Sequence, residues 1–152
     1  MKKCIFPPTA KRVAYHTASQ VNQEIRAQTV DGLNAIQGCG EPAFTARIRK
    51  LEEEWNTERF LEAHAASIVL MASIGGYQKK NCACFALTGC AGFFLLMHAL
   101  MGWCPPLPVI RRFGIRTPEE ISNEKFAVKM LRGDFSAQPA NMDEMLQLME
   151  KD

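Results

Sequence analysis

Apolar residues crowd the middle of the chain and thin out toward both ends. Two greasy segments, about Ala63–Tyr77 and Cys82–Trp103, are separated by the polar tetrapeptide Gln78-Lys79-Lys80-Asn81. That pattern predicts a helical hairpin. The run Cys82–Met97 is apolar all round the helix rather than along one stripe, which predicts apolar surroundings on every side. A hydrocarbon core of about 30 Å takes about 20 apolar residues at about 1.5 Å each. The second arm has that length, interrupted among ionisable groups by His98 alone. The first arm is shorter and is expected to span with tilt, local thinning or help from its flank at Phe60. Asn56 is placed to cap it.

The flanks read as amphipathic helices. Residues 1–15, with Pro7-Pro8, show little periodicity and are expected to be an extended arm. From His16 to Ile36, Val21, Ile25, Thr29, Leu33 and Ile36 recur on one helical face. Gly38–Pro42 breaks that helix, and Pro42 suits the first turn of another through about Glu54, with Phe44, Ile48 and Leu51 inward. Beyond the hairpin, Pro105, Pro106 and Pro108 predict an extended exit. Thr117-Pro118-Glu119-Glu120 is a helix start with a capping box. That helix should run to Arg132, burying Ile121, Val128 and Leu131 and stopping at Gly133. After a polar linker at Ser136–Ala140, Met142, Met145, Leu146 and Met149 stripe a last short helix. The expected architecture is all-α: a two-helix transmembrane hairpin (56–116) between an N-terminal arm with a helical pair (1–55) and an amphipathic C-terminal helix with a Met-rich tail (117–152).

Composition changes this picture little. The mean hydropathy of −0.12 averages a greasy centre with polar ends. A net charge of +2 with no basic stripe argues against nucleic acid as a partner. No apolar stretch follows Lys2, Lys3, Lys11 and Arg12, so the hairpin itself is expected to direct insertion. The six cysteines match neither a zinc ribbon nor a disulfide framework and read as small apolar residues.

Placement in a bilayer follows from aromatic and basic flanks. Trp55 and Trp103 mark one end of the hairpin and Tyr77 the other. Arg47, Arg49, Lys50, Arg59, Arg111, Arg112 and Arg116 lie toward the Trp end, against Lys79 and Lys80 at the turn. The positive-inside rule then puts both termini in the cytoplasm. Arg111, Arg112 and Arg116 are candidates to hold anionic lipid headgroups. Small residues, among them Ala72, Gly76, Gly89 and Gly92, let helix backbones approach closely in lipid. Two arms offer little mutual surface, so a second copy or a larger membrane complex is the expected packing partner.

Glu58-Arg59, the small-residue first arm, and Gly102-Trp103-Cys104-Pro105 leading to Arg112-Phe113-Gly114 resemble the bacterial YgaP-like inner-membrane domain over about residues 56–116. The resemblance implies a two-helix domain of the inner, cytoplasmic membrane that tends to self-associate. Some members are fused to rhodanese domains that carry sulfur as a cysteine persulfide. Here no rhodanese domain and no cysteine with a compact Gly/Arg loop is present, so the likeness is to the stand-alone form and sulfur transfer is not expected of this sequence alone.

Three constellations remain as candidate chemistry. Cys104, just past the second arm, is the thiol placed to accept sulfur or be oxidised, although the negative end of a helix dipole suppresses thiolate. His64 and His98 lie at similar depths, with Met97, Met101 and Cys104 near His98 in sequence; imidazole and sulfur suit haem iron or copper. Cys82-Ala83-Cys84 supplies only two ligands. The leading expectation is a non-enzymatic accessory or scaffolding subunit with no cofactor. A sulfur or redox protein working through Cys104, and a haem or metal protein using His64, His98 and Met101, are the alternatives.

Overall fold

The computed structural model describes residues 6–136 and 142–150. Cys4 and linker residues 137–140 lie outside them. The described residues form eight helices and no strand: α1 (Arg12–Tyr15), α2 (Ser19–Ile36), α3 (Glu41–Glu53), α4 (Thr57–Lys79), α5 (Cys82–Met101), α6 (Leu107–Arg112), α7 (Pro118–Arg132) and α8 (Met142–Glu150). They divide into two compact units, each discontinuous in sequence. One combines residues up to Gln23 with Trp55–Pro118; the other combines Glu24–Glu54 with residues from Glu119 onward.

The first unit is the hairpin and the short elements at its base. Asn56 caps α4, its Oδ1 accepting the Arg59 N–H at 2.8 Å. With 23 residues α4 is about 35 Å long. It is thus longer than the apolar segment that announced it, because its polar first two turns extend the same helix. The turn is also tighter than the four polar residues suggest. Lys80 alone takes the left-handed conformation (φ 47°), and Asn81 caps α5 by accepting the Ala83 N–H at 2.9 Å. The arms meet along a close seam: a Cβ at Gly76 would sit 3.1 Å from Cys84 Cβ and 3.2 Å from the Phe85 ring. Large apolar side chains elsewhere on the arms point outward, including Leu70, Met71, Leu87, Phe93 and Leu96. Only 6% of the α5 span is buried. A helix this greasy and this bare is unlike the core helix of a water-soluble bundle, which hides its apolar surface.

At the other end the chain wraps the hairpin's base. Gly102 ends α5 in the left-handed region (φ 79°), and its N–H donates to the His98 carbonyl at 2.8 Å. The extended exit expected from the prolines is instead the short helix α6. Pro106 takes its N-cap and Pro108 falls in its first turn, where the missing N–H costs nothing. The extended N-terminal arm likewise tightens into α1, which closes on this end. Val13 of α1, Leu61 of α4, Cys104, Leu107 and Ile110 form one buried cluster, with Phe60 and Ile115 packed against it.

The second unit has its own core of Phe44, Ile48 and Leu51 from α3 with Val128 from α7, backed by Leu33, Ile36 and Ile121. The expected inward face of α3 is the observed one. On α7, Leu131 is exposed and Glu124 is buried in its place. The reason is Arg47, whose Nε donates to Glu124 Oε1 at 2.7 Å while its Nη2 makes the ion pair at 2.5 Å. Burying a carboxylate is costly unless it is paired and hydrogen-bonded, and that geometry lay 77 residues apart in the sequence. On α8, Met145, Leu146 and Met149 are exposed, and the Met149 carbonyl accepts from Lys129 Nζ at 2.8 Å.

Removing Arg47 takes its guanidinium away from the fully buried Glu124 carboxylate. Arg47→Ala should therefore destabilise the second unit by about 3 kcal/mol, more than the simultaneous change Arg47→Met with Glu124→Leu. Thermal unfolding followed by circular dichroism checks the order of the two variants.

Candidate functional site

The polar groups of the hairpin gather at its Trp end. Arg12 Nη2 pairs with Glu58 Oε1 at 2.7 Å, and Arg59 stacks over the Trp55 ring at 4.7 Å. A Cβ on Gly102 would lie 2.5 Å from the Arg12 backbone, so only glycine lets α1 come this close. Arg111 is buried. Its Nε donates to Thr17 Oγ1 (3.2 Å), Nη1 to the Ile115 carbonyl (2.9 Å) and Nη2 to Asn22 Oδ1 (3.0 Å). Thr17 Oγ1 in turn donates to the Val13 carbonyl at 2.9 Å, and Asn22 Nδ2 to the Ala14 carbonyl at 3.0 Å. One guanidinium thus ties the α1–α2 corner to α6. The Thr57 N–H donates to the Arg116 carbonyl at 2.8 Å, fastening the start of α4 to the segment before α7.

This network revises the set of headgroup cations. Arg111 and Arg116 are both buried, and the Arg111 fork is occupied by protein acceptors. Arg112 is the exposed member of the three.

Between α4 and α5, just above this base, lies a cavity of about 150 Å³. Leu61, Ala65, Ile68, Phe94 and Leu95 supply most of its wall, and His64, His98 and Cys104 line it as well. The structure therefore brings together the three side chains singled out in the sequence, while Met101 is not among the lining residues. His64 is exposed, with Nδ1 2.7 Å from the Phe60 carbonyl and its ring stacked on Phe60 at 4.1 Å. That contact assigns the proton to Nδ1. His98 is 5% exposed, and neither ring nitrogen has a hydrogen-bond partner. Cys104 is 3% exposed, and its thiol is pushed up by burial, offset only in part by the Leu107 backbone N–H.

These facts bear on the chemistry. A thiol raised by burial is protonated at neutral pH and is a weak nucleophile. No group of three or more His, Cys, Asp or Glu side chains is arranged to hold a metal among the described residues. At about 150 Å³ the cavity is smaller than the roughly 300–1,000 Å³ of sites for drug-sized ligands, and a haem needs that class of space. Cys82 is exposed at the far end, and Cys84 packs at the seam beside Gly76.

A pair of closely packed, outwardly apolar helices closed at one end by a polar, hydrogen-bonded base defines a two-span membrane domain. Residues 56–120 match the family model described as the inner membrane protein YgaP-like transmembrane domain, so over this stretch the chain is similar to that family. The chain is accordingly a membrane protein of inner-membrane type. No curated protein and no solved structure matches it.

The residues that carried the resemblance have structural work at the base. Glu58 pairs with Arg12, Gly102 admits α1, Cys104 fills the buried cluster, and Gly114 (φ 79°) closes α6 by donating to the Arg111 carbonyl at 2.9 Å. Arg12 was missed as a partner of this site, since nothing local signals a contact across 46 residues.

Burial and a raised pKa predict a slow thiol. Iodoacetamide at pH 8 should alkylate exposed Cys39 at least about tenfold faster than Cys104. Mass-spectrometric mapping checks this; equal rates would restore Cys104 as a reactive group. The folded-state pKa is the higher one, so the stabilising effect of the buried neutral thiol is complete below the unfolded pKa. It fades as pH rises through the folded value.

Proposed function

We propose that the protein is a non-catalytic accessory or scaffolding subunit whose hairpin packs against another membrane helix, in the first instance that of a second copy. The observation that supports this is the contrast among its small residues. Ala72 and Gly76 are buried at the seam between the arms. Gly89 and Gly92 are exposed, with nothing within 4 Å of the space a Cβ would fill. They lie on one face of α5 between Phe85 and Leu96, spaced four, three and four residues apart, so large side chains border a stretch of bare backbone. Such a notch admits a neighbouring backbone, where close van der Waals contact and not the hydrophobic effect drives association in lipid.

In this reading both termini face the cytoplasm, supported by the excess of Arg and Lys near the Trp end. Trp55 and Trp103 at one end, and Tyr77 at the other, are all exposed, as interfacial anchors are. Arg112 is the cation free to meet an anionic lipid headgroup.

Native mass spectrometry of the full chain in lipid nanodiscs tests the packing role. The wild type should appear at a multiple of its 17.0 kDa mass, and Gly89→Leu with Gly92→Leu should shift it to the monomer while Leu70→Ala does not. A wild type that is monomeric and carries no second protein would refute the proposal.

A further inference from the structure

His98 combines two properties that rarely occur together. It is nine-tenths buried and more, and both ring nitrogens lack a partner. An unpaired buried polar atom costs on the order of 1–3 kcal/mol, so one that persists calls for an explanation. The ring lines the cavity between α4 and α5, whose other walls are mostly hydrocarbon: Leu61, Ala65, Ile68, Phe94 and Leu95. The site is thus apolar on most sides and carries an unmet hydrogen-bonding group.

We propose that this cavity is a binding site for a small lipophilic molecule of about one aromatic ring bearing a hydroxyl, a phenol, held by its hydroxyl on His98. The size is set by volume. An apolar cavity of about 150 Å³ engineered into another protein accommodates benzene, and this cavity has about that volume. The hydroxyl is set by the imidazole. A neutral ring offers one N–H donor and one bare nitrogen acceptor, and a hydroxyl serves either, whereas a carbonyl serves only the donor. The aromatic body suits the Phe94 wall, where ring–ring contact adds to burial. Water alone meets the imidazole and leaves the hydrocarbon walls wet. The cavity sits between two membrane-spanning helices, so its ligand arrives from the lipid phase.

The test uses the full chain in nanodiscs, labelled with ¹⁵N-histidine. The chain has three histidines, His16, His64 and His98, and His98→Phe assigns the third signal by its loss. Titrated phenol should shift the His98 ring resonances saturably, with a midpoint at least about fivefold lower than that of benzene read in the same way, the factor expected of one hydrogen bond. Ala91→Leu, which fills the cavity wall while leaving His98 in place, should abolish the shift. A shift that does not saturate, equal midpoints for phenol and benzene, or a shift that survives Ala91→Leu would each overturn the assignment.

Discussion

The structure depends on where the chain may leave backbone and side-chain polarity unsolvated. Through the middle of α4 and α5 the helix pairs its own backbone groups, so the outward surface can be almost wholly apolar, as a span in lipid requires. Where the helices end, that economy fails. Orphan N–H and C=O groups appear at once, and the sequence answers with local devices: Asn56 and Asn81 as caps, and Lys80, Gly102 and Gly114 in left-handed conformations. The base at the Trp end goes further, pairing Arg12 with Glu58 and fixing Arg111 by charge-assisted hydrogen bonds to Thr17 and Asn22.

That division sorts the roles of the conspicuous residues. Gly102-Trp103-Cys104-Pro105 looks like a chemical motif because it contains a cysteine, but each member has a mechanical part to play. The glycine permits a helix end and the approach of Arg12; the cysteine is a small buried apolar group beside Leu107 and Ile110; the prolines set up a short helix that aims Arg111 inward. The tryptophan remains at the surface, where an interface would hold it. His98, buried without a hydrogen-bond partner, faces the cavity above instead.

Much of the all-helical architecture was legible because periodicity and punctuation are local signals. Pro42 with Phe44, Ile48 and Leu51 specified α3, and Thr117-Pro118 with Gly133 specified α7. What escaped was set by contacts distant in sequence. Glu124 reads as one more surface acid on α7 until Arg47 arrives from α3, and Arg111 reads as a free juxtamembrane cation until Thr17 and Asn22 accept from it. The exit after α5 was misread for a different reason: prolines end a helix but also begin one, and Pro106 and Pro108 do the latter. The gathering of His64, His98 and Cys104 around one cavity was only half visible, since depth along a helix is countable and rotation between two helices is not.

The central claim is that lipid, and not a protein interior, surrounds α4 and α5. Alkaline carbonate extraction of membranes from cells expressing the full chain tests it most directly, because carbonate strips proteins held by surface contacts and leaves those embedded in the bilayer. The account predicts that the protein stays in the membrane pellet and enters solution only with detergent. Release into the supernatant as a water-soluble species would contradict it.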